Sequence, residues 1–399
     1  MHNEWEVSDT DDNMVTASKK TIEYLRGLTR LAIGATTGTT NLVETMHSTV
    51  SNMNPPLGES SATTTKGITR LVYRSIRGGT QLVGTSLDYA MQGLLPFLDD
   101  KGPPSRTLDV FLSVINGICG DQLVETENPL AIGMKLFYQK NELIGDQLSS
   151  SIGAPASKVM IFVHGLCMSH HGWEKDKINL SKEMAEKLGF TPVYLHYNTG
   201  RSIASNGAEF ADRIESLMYN WPIPVTELTI VGHSMGGLVT RSARYHGEKK
   251  RHQWIKINKK LASIGTSHCG ALLEKSAFLI ETLMQLSPYA VPFTRLTKIR
   301  STGIVNLRDG SVGANDEFIP LPVGVEYYAL AAVLNKQSNM AAEQVIGDGF
   351  VTLDSALGQS SDAGRSLSIP PDNKWVGYEI GHNEMLWNND VYKKLSAWL

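Results

Sequence analysis

The chain has 399 residues, enough for one large core plus a second element. A net charge of -3 leaves no basic footprint, so nucleic acid is excluded as the main partner. The three cysteines, Cys119, Cys167 and Cys269, cannot build a disulfide framework and show no Cys-x-x-Cys spacing for a metal.

Residues 1–18 are acidic and polar and read as a solvated tail. They have neither a basic n-region nor an apolar h-region, so no secretory signal is expected, and no stretch of the chain reaches the length of a membrane span. A cytoplasmic location is the expectation. Residues 19–125 read as a helical region containing an internal repeat. Gly27-Leu-Thr-Arg-Leu31 recurs as Gly67-Ile-Thr-Arg-Leu71, and the match continues through Gly38 and Gly78, Leu42 and Leu82, and Thr45 and Thr85. A register shift of about forty residues suits a duplicated helical unit. Leu28, Ala32, Ala35, Thr39, Leu42 and Met46 form a helical stripe rich in small residues. Packing on the chain itself is the commoner fate of such a stripe. Docking on a lipid or granule surface, with the protein peripherally held there, is the alternative.

Residues 99–104 read as a linker, 108–123 as an apolar helix, 134–138 as a first strand and 149–155 as a turn-rich break. From residue 158 strands and helices alternate, the mark of a mostly parallel sheet with helices on both faces. The strands fall at 159–163, 192–196, 228–231, 261–264, 325–331 and 375–378. The helices fall at 182–188, 203–218, 238–244 and 391–399. Residues 271–316 interrupt this rhythm with an insertion too apolar for a solvent loop, which reads as a lid or cap. The expected organisation is an α/β catalytic domain over 126–399, preceded by the helical region.

The chemistry centres on Gly232-His-Ser-Met-Gly236, which stands between a strand and a helix. Glycines two before and two after the serine permit a tight strained turn that pushes Ser234 towards substrate. A serine hydroxyl needs a base within hydrogen-bond reach, and the base needs an orienting acid. After Ile319 the one remaining histidine is His382, between the last strand and the last helix. The acid comes from Asp348, Asp354, Asp362, Asp372 or Glu379, with Glu343 just before them. Asp348, flanked by Gly347 and Gly349, is preferred, and Asp354 is the runner-up. The developing oxyanion needs two donors, the N–H of Met235 and that of Leu166 in the loop after the strand 159–163. His164, Cys167, His233 and His268 are candidates to line the pocket. The His170-His171 pair lacks acidic or cysteine companions at ligand spacing, so a polar loop is expected there rather than a metal.

Val163-His-Gly-Leu166, Gly232-His-Ser-Met-Gly-Gly237, Ile264-Gly-Thr-Ser-His-Cys-Gly270, Gly347-Asp-Gly-Phe-Val351 and Gly381-His382 stand in an order that resembles the α/β-hydrolase superfamily. Within it they resemble the esterase/lipase branch, and the style is similar to bacterial triacylglycerol lipases and GPI inositol-deacylase-like hydrolases. The resemblance covers roughly residues 130–399. It implies Ser234, Asp348 and His382 as the triad and Leu166 and Met235 as oxyanion donors. Ser267 stands where relatives often have proline, and the loop after Gly165 lacks a second glycine. The expectation is a cofactor-free serine hydrolase acting on acyl esters. Two kinds of alternative stay open: a thioesterase, acyltransferase or polyester depolymerase with the same triad, and a lipid- or granule-binding protein with a vestigial hydrolase domain.

Overall fold

The computed structural model describes Gly27 and residues 106–145, 148–271, 301–314, 317–336 and 347–399. The duplicated helical segments, apart from Gly27, and residues 272–300 of the predicted lid lie outside the described residues. Among the described residues, no helix is long and apolar enough to cross a membrane.

Eight strands form one sheet. They are β1 (Lys135–Tyr138), β2 (Asn141–Glu142), β3 (Lys158–Val163), β4 (Thr191–His196), β5 (Glu227–His233), β6 (Asn258–Ile264), β7 (Glu326–Val333) and β8 (Lys374–Tyr378). Their spatial order is β2-β1-β4-β3-β5-β6-β7-β8. From β4 to β8 every pairing is parallel, and β1 runs antiparallel to both β2 and β4. Val159 to Val163 and Leu228 to Val231 are buried throughout, as continuous apolar runs in central parallel strands must be. All the strands predicted from the sequence are present. β2 is the exception in the other direction: it has two residues, too few for an alternation pattern to register.

The helices are α1 (Arg106–Glu125), α2 (Leu148–Ile152), α3 (Leu180–Lys187), α4 (Ile203–Tyr219), α5 (Met235–Lys250), α6 (Thr302–Asp309), α7 (Leu353–Ala356) and α8 (Asn389–Trp398). Two hydrophobic clusters, one on each face of the sheet, hold them. The segment 149–155, read from its serines as a break, begins within α2. Leu148 and Ile152 stand four apart on one face and are both buried, and that pair outweighs the poor propensity of the serines between them.

α1 was grouped by sequence with the N-terminal helical region, yet it packs in the same cluster as β3 and β5. Phe111, Val114, Ile115, Ile118 and Leu123 are all buried there. Each such side chain contributes about 1.5–3 kcal/mol when fully covered. The helix bends at Cys119 (φ -139°, ψ 25°). A Cβ at Gly120 would collide with the Asn198 side chain, so glycine lets the bent helix meet the loop after β4, where Asn198 Nδ2 donates to the Gly120 carbonyl at 3.0 Å. The C-terminal end of the predicted lid is also core. In α6, Ile304 and Leu307 are buried, Ser301 Oγ donates to the Gly117 carbonyl of α1 (2.7 Å), and Thr302 N–H donates to Asp121 Oδ2 (2.8 Å).

Candidate active site

Ser234 sits between β5 and α5 with φ 54° and ψ -124°, a conformation that costs a non-glycine residue of order 1–3 kcal/mol and persists only where its surroundings hold it. Here the Ser234 N–H donates to the Ile264 carbonyl at the end of β6 (2.9 Å). Close backbone approach on both sides explains the flanking glycines. A Cβ at Gly232 would lie 2.5 Å from the Gly237 nitrogen, and one at Gly236 would overlap the Val163 carbonyl oxygen. The turn therefore wedges against the end of β3, and the loop after β3 passes directly over it. A Cβ on Gly165 would lie 2.9 Å from Ser234 Cβ. Leu166 follows at once in that loop. Met235 opens α5, so its N–H is one of the four without an intrahelical acceptor.

Two other loops converge here from the carboxyl ends of β7 and β8, the end of a parallel sheet where substrates bind. Asp348 is buried, with its side chain 1% exposed. Its Oδ1 accepts the N–H groups of Phe350 (2.9 Å) and Val351 (2.8 Å). Its Oδ2 stands 2.7 Å from His382 Nδ1, and its carbonyl accepts the His382 N–H at 3.0 Å. With the proton on Nδ1 pointing at the carboxylate, Nε2 is left as the basic nitrogen. The His382 ring stacks on Phe350 at 4.8 Å, and a Cβ at Gly265, after β6, would lie 3.2 Å from His382 Nδ1. Phe350 and Gly265 stand inside the quoted motifs Gly347–Val351 and Ile264–Gly270, but nothing local points to their contacts with His382, which only the folded sheet creates. Of the competing carboxylates, Asp362 caps the turn Ala363–Arg365, Glu379 pairs with Lys336 at 3.8 Å, Asp354 lies in the first turn of the short helix α7, Asp372 lies in the turn Pro371–Asn373, and Glu343 falls outside the described residues.

His233 was a candidate pocket residue. It is fully buried, and its Nε2–H donates to the His382 carbonyl at 3.2 Å, with the two rings 4.8 Å apart. It braces the loop that carries His382. His164 is equally buried, stacks on Tyr197 (4.6 Å) and has Nδ1 2.9 Å from the Gly165 carbonyl, so it holds the loop. Cys167 is buried at φ 58°, donates its backbone N–H to the Thr199 hydroxyl oxygen (3.1 Å) and faces α1 at Gly117. Burial pushes its thiol well above the ordinary range. His268 lies in a polar network beneath the site, with Ser263 Oγ and Tyr327 OH at 3.2 and 3.3 Å from its Nε2. The buried Arg241 guanidinium stands 3.5 Å from His268 Nδ1 and donates to the Ile319 carbonyl.

Burial, first of all, holds His164, His170, His196, His233 and His268 below the usual imidazole range, with His164 at about 4. Above pH 6.5 these groups are neutral in both folded and unfolded chains and add no pH dependence. Below it the unfolded chain binds protons that the folded one refuses, so stability falls, by about 1.4 kcal/mol per pH unit for each group. The urea midpoint is therefore expected to drop between pH 7.5 and 5.5, and His164→Asn to remove part of that slope. A flat midpoint across this range would contradict the assignment.

Residues 154–290 match the model of the PGAP1-like alpha/beta domain, a span that includes β3 to β6 and the elbow and stops before Asp348 and His382. The strand order, the turn at Ser234 and this match agree. The fold is that of the α/β-hydrolases. No curated protein matches the chain. Among solved structures, this chain is similar to the mature form of Bacillus licheniformis lipase BlEst2, at 19% identity over 61% of this chain and 93% of that one, with a TM-score of 0.40. It is similar to Pyrococcus furiosus esterase Pf2001 at 11% identity over 61% and 78%, TM-score 0.37. A NocB thioesterase domain in covalent complex with a fluorophosphonate nocardicin G analogue matches at 11% identity over 61% and 93%, TM-score 0.37. At such scores the likeness is distant, and the hydrolase fold rests on its own strand order and elbow.

Proposed function

We propose that this α/β-hydrolase is a serine hydrolase that cleaves carboxylic esters through an acyl-enzyme. The observation that carries the reading is the 2.7 Å Asp348–His382 bond, made by a buried carboxylate in the loops beside the strained Ser234 turn. Ser234 Oγ attacks the acyl carbonyl while His382 Nε2 accepts its proton. The carbonyl oxygen becomes an oxyanion held by the N–H groups of Leu166 and Met235. The tetrahedral adduct collapses, the C–O bond to the leaving group breaks, and His382 returns the proton to the departing alcohol. Water, deprotonated by His382, then attacks the acyl-enzyme, and Ser234 recovers its proton. Asp348 holds the imidazole in the tautomer this requires and stabilises its charged form.

The apolar composition of residues 272–293, the part of the predicted lid that precedes α6, favours an acyl chain of some length. Hydrolysis of a p-nitrophenyl ester series, with fluorophosphonate labelling of the same preparation, tests both levels. Labelling with rates rising beyond acetate is the expected result. Labelling with a maximum at acetate would remove the long-chain reading alone, and a folded protein that neither labels nor hydrolyses would remove the hydrolase reading.

A further inference from the structure

The pair His170-His171 finds the acidic companion its own neighbourhood lacks. Asp109, on the first turn of α1 and 61 residues before His170, meets it across the fold. Its Oδ2 lies 3.3 Å from His171 Nε2. One ligand atom each from Asp109, His170 and His171 can be chosen so that all three lie within 4.8 Å of one another. Two ligands at about 2.0–2.1 Å from a tetrahedral zinc ion are themselves roughly 3.3–3.4 Å apart, so the Asp109–His171 pair already has that spacing.

The surroundings are those of a built site. The His170 ring lies flat on Phe137, with centroids 3.9 Å apart and planes within 3°. Ser169 caps the turn by accepting the His171 N–H at 3.3 Å. His170 is 7% exposed, and its Nδ1 is buried without a hydrogen-bond partner among the described residues, an arrangement that costs free energy unless something binds there. Arg106 would repel a cation, but its charge is met by Glu174 at 2.9 Å.

We propose that Asp109, His170 and His171 form a binding site for a divalent transition-metal ion of the zinc class, one that staples α1 to the loop following β3. Two imidazoles and a carboxylate are borderline ligands that suit Zn²⁺ over Mg²⁺ or Ca²⁺, with water completing the coordination. Leu166 lies in the same loop, four residues before His170, so the ion would steady the backbone that borders Ser234.

The test uses the full chain without a polyhistidine tag, stripped by a chelator and titrated with Co²⁺ as a spectroscopic substitute. The expected result is uptake of one Co²⁺ per chain with visible bands of four-coordinate geometry, displacement by Zn²⁺, and a thermal midpoint that rises with added Zn²⁺. Asp109→Asn and His171→Gln, each checked for folding by circular dichroism, should each weaken binding at least about tenfold, since losing even an outer partner of a metal ligand costs that much. If one variant does not fold, the other carries the comparison. No stoichiometric uptake by the wild type, or uptake that the folded variants leave unchanged, would overturn the proposal. Because the readouts are binding and stability, they stand apart from the ester chemistry.

Discussion

Ser234→Ala is expected to lower kcat/KM on p-nitrophenyl esters by about a millionfold, to a residual rate supplied by binding and the oxyanion donors alone. The cause is the loss of the atom that forms the acyl bond. The substitution removes a single oxygen from a residue whose backbone is held by the Ile264 carbonyl and by the tight turn, so the protein should keep its fold. Unchanged circular dichroism and thermal midpoint, together with complete loss of fluorophosphonate labelling, complete the expected pattern. Persistent labelling would move the nucleophile elsewhere.

Asp348→Asn comes next, with kcat expected to fall about ten-thousandfold and KM to change little. One carboxylate oxygen serves the Phe350 and Val351 N–H groups while the other faces His382 Nδ1. An asparagine keeps its carbonyl on the two backbone donors and turns its NH₂ towards Nδ1. The imidazole must then carry its proton on Nε2, where it cannot accept one from Ser234. Asp354→Asn, in α7, is the control and should leave kcat within a few-fold of wild type, as expected for a substitution outside the site. If the two results were reversed, Asp354 would be the orienting acid and the Asp348–His382 bond merely structural.

Much of the catalytic region was legible in the sequence, because the signals concerned are local. A strand buried on both faces must be apolar along its length, as Val159 to Val163 is. An elbow that touches backbone on both sides must have glycine at 232 and 236. The tail of the chain after Ile319 holds one histidine, so naming a candidate base needed no geometry. Where the reading failed, composition stood in for packing. Serines hid α2, whose existence depends on Leu148 and Ile152 reaching the core. The predicted lid was read from the apolar run 272–293 and extended to residue 316, whereas residues 302–309 form α6, whose Ile304 and Leu307 are core. His233, read as a pocket residue, takes its role from a carbonyl 149 residues away.

The sequence by itself determined the sheet, the turn that presents Ser234 and the identity of the lone late histidine. Each follows from constraints acting within a few residues: steric room, periodicity and chain order. Tertiary structure alone decided which carboxylate meets His382, what His233 braces, that α1 shares the hydrolase core, and that Asp109 faces His170 and His171. Those pairings join segments 34 to 149 residues apart. Packing sets such distances to a fraction of an ångström, while the chain between the partners leaves them free.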